Sequence, residues 1–428
     1  MTAARLSEAN SLAEWLSYLE GLHPMAIDMG LARVQAVQQQ MALLPTCPVI
    51  TVAGTNGKGS VCAMLSKILS LAGYKVGTYT SPHLLHYNER ITINGQPAAD
   101  HDIVAIFAQI EAARGDVSLS YFEFGTLAAV HHFMQSAVDV MVLEVGLGGR
   151  LDAVNIFEPT ASAVVTIGID HQAYLGDTRE AIALEKAGVY RAAVPAFCAD
   201  PQPPHTLLEH AAQIGAPLQL IGRDFGYALQ AEGQQWSWQG ANGTRKNALP
   251  IPALRGKYQL ANASLVIALL EALKPQLPVS LNDIKRGLLE VEWPARFQVL
   301  PGRPVVVLDV AHNPHAALVF KSCLDQMAYH PVTHAVLGMM QDKDVAGVLD
   351  IVADRIDVWH VAAPQLPRAL PAAQLAELIL QRAPRARVVQ YESVEKAYRA
   401  ACESAAEADR ILVFGSFFTV SEVLQARG

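Results

Sequence analysis

Seven consecutive residues carry the sharpest chemical signal in this 428-residue sequence: Gly54-Thr55-Asn56-Gly57-Lys58-Gly59-Ser60. Glycines let the backbone turn tightly enough for several N–H groups and a helix N-terminus to converge on phosphate oxygens. A lysine inside such a turn adds a point charge at the outer phosphates. The hydroxyl that a common phosphate loop carries straight after its lysine comes one residue later here, at Ser60, behind Gly59. Stripped of its flanks, the string is a glycine-rich turn with a surface lysine. With VITVA before it and an amphipathic stretch over 60–72 behind it, the string is a strand–loop–helix cradle. Glu144 is the second such residue: it closes the apolar run DVMVLEV and precedes Gly146-Leu147-Gly148-Gly149-Arg150. A carboxylate at the C-terminal end of a buried parallel strand faces the crevice where such sheets bind ligands. Mg2+ takes hard oxygen ligands and keeps several waters, so few protein ligands are needed. The plainer alternative is a solvated strand-end acid.

The elements that must position these residues follow from periodicity. Short runs rich in Val and Ile (49–53, 76–80, 139–145 and 161–167) alternate with helical patterns, as a parallel sheet covered on both faces requires. Between about 225 and 252, FGYALQ and QQWSWQG alternate with period two, which predicts a small antiparallel sheet. Helical periodicity returns over 259–273 and 281–291, and Glu292-Trp293-Pro294 ends it. The stretch 294–304 holds three prolines and a glycine and is expected to be the linker between a first domain, 1–293, and a second, 305–428. There VVVLDV, HAVLGMM, DVWHVAA, RVVQY and ILVFG repeat the strand–helix alternation. The expected fold is therefore α/β: a P-loop-type, mostly parallel sheet with a small antiparallel β element, then a smaller Rossmann-like α/β domain.

Hydrophobic residues at 51% against 17% charged supply buried cores and exclude disorder. A net charge of −8 gives no electrostatic reason to expect a nucleic-acid partner. An acidic protein that binds anions must gather its positive charge in a pocket. The odd, scattered cysteines (Cys47, Cys62, Cys198, Cys323, Cys402) lack CxxC spacing and fit reduced core thiols. The N-terminus lacks a signal-peptide pattern, and no uncharged run approaches 18 residues. A cytoplasmic protein without membrane partners is the expectation.

The GTNGKGS string, together with EVGLGGRLDAVN at 144–155, resembles the folylpolyglutamate synthase/dihydrofolate synthase family, a branch of the Mur ligase superfamily. The resemblance covers nearly the whole chain, with its motifs in the family's order; Val154 stands where a Thr is common. It implies an ATP-dependent ligase that activates a carboxylate as an acyl phosphate and joins it to an amine.

Residue by residue, the resemblance makes Thr55, Asn56, Gly57, Lys58, Gly59, Ser60, Asn262, Arg296 and Asp309 the ATP contacts. Ser81, Glu144 and His171 become magnesium ligands. Lys186, in Glu185-Lys186-Ala187-Gly188, is similar to a lysine carbamylated by CO₂, a change that turns a cation into an oxygen ligand and that burial promotes. His312, in Asp309-Val310-Ala311-His312-Asn313-Pro314, lies near the incoming glutamate by the same resemblance, and Ser416 lines the amino-acid site. Lys58, His171, Lys186 and His312 form the implied catalytic set. Asp28, Met29, Gly30 and Leu31, with Ser120, Tyr121, Phe122 and Glu123 and with Leu151, Asp152 and Ala153, resemble a dihydropteroate site. Aromatic rings suit a flat heterocycle there. By residue type alone, Ser81 is a turn residue before a proline, His171 is structural, and Asn262 and Arg296 are solvated. Arg90, in YNERI, has no role readable from its type.

The implied cofactors are two Mg2+ ions, with room for a monovalent cation, and ATP as co-substrate. The implied partners are dihydropteroate or folate and L-glutamate, bound by a monomer. Three alternatives stay open on sequence: a ligase restricted to polyglutamylation, a Mur-type ligase of cell-wall precursors, and a nucleotide-binding regulator without catalysis.

Overall fold

A computed structural model describes residues 6–25, 27–230 and 233–427. The chain divides into two compact units: one of 1–167, 177–252 and 261–291, the other of 168–176, 253–260 and 292–428.

Eight strands form the sheet of the first unit: β1 (Val49–Ala53), β2 (Val76–Tyr79), β3 (Ile91–Ile93), β4 (Gln96–Pro97), β5 (Val140–Glu144), β6 (Ala161–Val164), β7 (Ala196–Cys198) and β8 (Leu218–Leu220). Their order is β4-β3-β2-β5-β1-β6-β7-β8. From β2 to β8 all pairings are parallel; β3 and β4 continue the sheet antiparallel. β1 and β5 are buried along their whole length, which is why both read as unbroken apolar runs. β1 lies between β5 and β6, so the loop after β1 opens beside the ends of both neighbours. That arrangement sets Glu144 opposite Val52, one residue before the end of β1.

The antiparallel element also belongs to this unit: β9 (Gly226–Leu229), β10 (Gln235–Gln239) and β11 (Arg245–Pro250), in the order β11-β10-β9. Trp236 and Trp238 point to one face of β10 and are buried, as period-two spacing demands. Trp238 Nε1 donates to Ser264 O at 3.0 Å, which satisfies the one polar atom of a ring that packs on the helix Tyr258–Ala272.

The second unit holds a six-stranded sheet: β12 (Gln298–Leu300), β13 (Val305–Leu308), β14 (Thr333–Leu337), β15 (Val358–Val361), β16 (Arg387–Gln390) and β17 (Arg410–Phe414), in the order β12-β13-β17-β14-β15-β16. All pairs are parallel except β12–β13. Its core gathers Phe297, Phe320, Trp359 and Phe414 beneath the helices. The fold class is the one expected. Two details differ from the sequence reading. Part of the stretch expected to be a linker, Gln298–Leu300, is an edge strand, a place where flanking prolines do no harm to the ladder. The short segments 168–176 and 253–260 pack with the second unit although they precede it in sequence.

All five cysteines are free thiols. Among the described residues no helix is long and apolar enough to cross a membrane.

Candidate active site

The phosphate loop is built by β1, the turn 54–57 and the helix Lys58–Leu71. Gly57 caps that helix at φ 86°, in the left-handed region that glycine enters without strain. A side chain there would also meet Val165 at 2.9 Å and the Asn262 amide oxygen at 3.1 Å. The loop is braced from behind by Thr166: Thr55 N donates to its carbonyl at 2.7 Å, and Asn56 N to its hydroxyl at 3.2 Å. Two of the loop's amides thus hold its shape. The first amides of the following helix lie at its N-terminus, where the dipole favours an anion. Lys58 is half-buried rather than solvent-facing, with Nζ folded back onto Gly54 O at 3.0 Å and Thr55 O at 3.4 Å. Asn262 is buried against Gly57 and is not the solvated helix amide that its residue type suggests.

Glu144 ends β5 with 4% exposure, and its Oε2 accepts from Ser81 N at 3.1 Å. The strand ends of β2 and β5 therefore bring a carboxylate and a serine together in the first unit. The 146–150 loop then packs on the helix Arg179–Ala187. Arg150 N donates to Glu185 O at 2.8 Å, and a side chain at Gly149 would meet Glu185 O at 2.8 Å and Lys186 O at 3.0 Å. This interlock joins the Glu144 loop to Lys186, which is 3% exposed. Glu144 and the Ser81 hydroxyl are hard-oxygen donors of the kind Mg2+ accepts. Among the described residues no three His, Cys, Asp or Glu side chains cluster as a ready-made metal cage.

Beside this strand end lies an aromatic wall. Phe122 packs on Gly146, where a side chain would meet its ring at 2.6 Å, and on Tyr79 at a ring separation of 5.8 Å. Asp152 accepts from Leu147 N at 2.9 Å and Val154 N at 3.0 Å, and burial pushes its carboxyl up to about 6. Ser120 and Glu123 form a capping box on the helix Tyr121–Gln135, so both have a structural duty at this place. Leu151 and Ala153 flank Asp152, and Ala153 is buried. Asp28, Met29, Gly30 and Leu31 are half-buried; Asp28 accepts from Arg33 Nη1 at 2.7 Å. Arg90 gains the placement that its residue type withheld. Its guanidinium lies over both Tyr87 and Tyr121, 5.5 and 5.4 Å from their centroids, and its Nε donates to His83 Nδ1 at 2.8 Å. Burial, and then the Arg90 charge, pull His83 down to about 4.

The second unit has its own polar centre. Asp170 receives Lys343 Nζ at 2.7 Å, Asn313 Nδ2 at 3.0 Å and the amide of His171 at 2.8 Å. His312 Nε2 lies 3.5 Å away. Burial would raise this carboxyl; the His312 hydrogen bond and the charges of His171, His312 and Lys343 outweigh it and hold Asp170 ionised. His312 Nδ1 is 2.7 Å from Val310 O, and a carbonyl oxygen only accepts, so Nδ1 carries the hydrogen and Nε2 faces the carboxylate. Asp309 accepts from Phe297 N and Ala311 N, both at 2.7 Å; burial pushes it up to about 6 although Arg296 pulls the other way. Arg296 lies over the Phe417 ring, 5.0 Å from its centroid. Ser416 caps the helix Phe417–Arg427 by accepting from Thr419 N at 3.0 Å.

Comparison with known proteins agrees with this architecture. Residues 52–270 match the Mur ligase middle domain, and residues 295–417 match the Mur ligase glutamate ligase domain. A curated relative, the dihydrofolate synthase/folylpolyglutamate synthase of Escherichia coli, is 43% identical over 97% of this chain and 96% of its own. The Haemophilus influenzae protein of the same name is 40% identical, covering 99% of both chains. The chain belongs to the dihydrofolate synthase/folylpolyglutamate synthase family of Mur ligases. A solved structure of E. coli FolC in complex with DHPP and ADP superposes with a TM-score of 0.93 at 42% identity, covering 99% of each chain. Another, of a bifunctional folylpolyglutamate synthase/dihydrofolate synthase with Mn, AMPPNP and L-glutamate bound, gives 0.91 at 42% identity and the same coverage.

Within this Mur ligase, the expected residues fall into groups. The first unit brings the loop 55–60, Ser81, Glu144, Lys186, Asn262 and the aromatic wall to one set of strand ends and loops. The second unit brings His171, Asp309, His312 and Arg296 together around Asp170 and Phe417. Sequence reasoning missed the hub Asp170, the brace Thr166 and the ring of Phe417, and also two basic residues of these networks, Arg33 and Lys343. For those two the only available signal was a basic residue inside an otherwise apolar helical stretch (LARVQAV) and a lysine between two acids (QDKDV).

Proposed function

We infer that this chain catalyses ATP-dependent amide formation between the carboxylate of dihydropteroate, or of a folate, and the amine of L-glutamate, releasing ADP and phosphate. The observation that carries the reading is the phosphate loop beside Glu144, with an aromatic wall at the neighbouring strand end. ATP would lie with its phosphates on residues 55–60. A divalent ion would be held by Glu144 and Ser81, with a carbamylated Lys186 as a further ligand; when bound, such an ion neutralises the charge that builds on the phosphates.

In this reading the substrate carboxylate attacks the γ-phosphoryl group in line, and ADP leaves. Lys58 swings from its loop carbonyls to the transferring group and offsets its charge. The pterin ring stacks against Phe122, and Asp152 accepts from its donor edge. Glutamate's amine then attacks the acyl phosphate carbonyl, a tetrahedral intermediate forms, and phosphate leaves. His312, turned toward Asp170, serves the incoming glutamate, and the amine's proton leaves to phosphate or solvent as the amide forms. Ser416 serves the amino acid. The cytoplasm, where ATP and reduced folates meet, is the compartment that suits this chemistry.

A coupled assay tests the reading. ADP should form with dihydropteroate plus glutamate and with tetrahydrofolate plus glutamate, and not with UDP-MurNAc plus its amino acid. ADP formation with the UDP sugar alone would move the chain to the cell-wall ligases.

A further inference from the structure

Arg33 joins two stretches of chain that lie 90 residues apart. Its Nη1 donates to Asp28 Oδ2 at 2.7 Å, and its Nη2 to Asp28 O at 2.9 Å and Glu123 Oε1 at 3.2 Å. On the other side of Asp28, His23 Nε2 lies 3.0 Å from the same Oδ2, and its Nδ1 lies 2.6 Å from Ser118 Oγ. Glu123 is in turn tied to Ser120 N through Oε2 at 2.7 Å. The result is one continuous polar chain from residue 118 through His23, Asp28, Arg33 and Glu123 to the start of the helix Tyr121–Gln135.

Two features of this chain exceed what fold maintenance needs. Asp28 and Glu123 are like charges, and the guanidinium between them binds both at once, which a point-like ammonium does not do. Both side-chain contacts to Asp28 fall on Oδ2, so among the described residues Oδ1 accepts no hydrogen bond. The Asp28 side chain keeps 31% of its surface exposed, whereas its partner Glu123 is 5% exposed. One acceptor is thus held in a fixed orientation beside the helix that carries Tyr121 and Phe122. Among the described residues Arg33 Nε is buried without a partner, so the guanidinium is committed to its three contacts through Nη1 and Nη2.

We propose that Arg33 is a positioning residue for substrate selection: it fixes segment 28–31 on the N-terminus of the helix Tyr121–Gln135 and presents Asp28 Oδ1 to a flat heterocycle with an N–H donor edge. This rests on reading 28–31 and 120–123 as the pterin end of the site. Arg33 touches neither ATP nor glutamate in this scheme, so its loss acts on one substrate only.

Steady-state kinetics of Arg33→Met and Arg33→Lys, with melting temperatures and ADP affinity measured beside them, test the proposal. Arg33→Met should raise KM for dihydropteroate about tenfold or more, with kcat and the KM for ATP within about twofold. Arg33→Lys should fall between, since it restores the charge and not the fork. Equal losses against ATP and dihydropteroate, together with a lower melting temperature, would reduce Arg33 to a structural role, and an unchanged KM for dihydropteroate would also overturn the proposal. Phe122→Ala separates the two layers. If it leaves the dihydropteroate KM unchanged, the pterin reading itself fails. If it raises that KM while Arg33→Met does not, only the assignment to Arg33 fails.

Discussion

Lys343 Nζ lies 2.7 Å from Asp170 Oδ1, with both side chains about nine-tenths buried. The two residues are 173 positions apart in sequence, and Asp170 also accepts from Asn313 Nδ2, so the segment that carries His171 is held both to Lys343 and to the loop of His312 and Asn313 within the second unit. Breaking such a pair from one side strands a buried charge, whereas removing both sides does not. Lys343→Met should therefore destabilise the protein by about 3 kcal/mol, and Asp170→Asn combined with Lys343→Met by clearly less than the sum of the two single changes. Denaturant unfolding of the three variants checks this, and additive losses would contradict it.

Among the described residues Lys58 Nζ hydrogen-bonds only to loop carbonyls, so its loss removes little from the fold. Lys58→Ala should lower kcat by about 10²-fold or more while the melting temperature stays within about 2 °C of the parent. Turnover and calorimetry on one preparation decide the matter. Near-parent turnover would remove Lys58 from the transferring phosphate.

Glu144→Gln keeps the shape and the contact to Ser81 N while removing the charge. The Mg2+ concentration for half-maximal activity should rise about tenfold or more, with ATP saturation tested separately. An unshifted Mg2+ titration would exclude Glu144 as a ligand.

The second unit should be acid-sensitive for a reason distant from the catalytic residues. His334 and His360 stack across β14 and β15, with Nδ1 of one 3.2 Å from Nε2 of the other, and Tyr391 OH lies 3.1 Å from His360 Nδ1. Burial, then the neighbouring His334 and Arg387, pull His360 down to about 4; Asp409 faces the outer side of His334. A histidine depressed by folding contributes stability above its ordinary value near 6.5 and loses it as pH falls toward 4. His360→Gln should flatten the fall in melting temperature over that window, by about 1–3 kcal/mol of unfolding free energy. A parallel curve for the variant would show that His360 titrates alike in the folded and unfolded states.

Much of this was legible in the sequence because local rules and global fold agree. VITVA-GTNGKGS names a strand, a turn that needs glycine and a helix start, and the structure realises all three. The paired tryptophans of β10 announced a two-faced strand. Other features were hidden for definite reasons. The Ser120–Glu123 capping box is a helix signature in its own right, so residue types alone could not separate capping from substrate contact. The Asp170–Lys343 and Arg33–Glu123 pairs are made by long-range packing, and neither residue type nor spacing encodes the partner. The strand Gln298–Leu300 lies between prolines that look like punctuation, yet an edge strand of three residues tolerates them.

The proposed reaction turns on activation of a carboxylate by phosphoryl transfer on the 54–60 loop. Dihydropteroate labelled with ¹⁸O in its carboxylate, turned over with ATP, Mg2+ and glutamate, tests it directly by mass analysis of the released phosphate. An acyl phosphate route predicts one ¹⁸O atom carried into phosphate with ADP as the other product. Unlabelled phosphate, or label appearing in AMP, would contradict it.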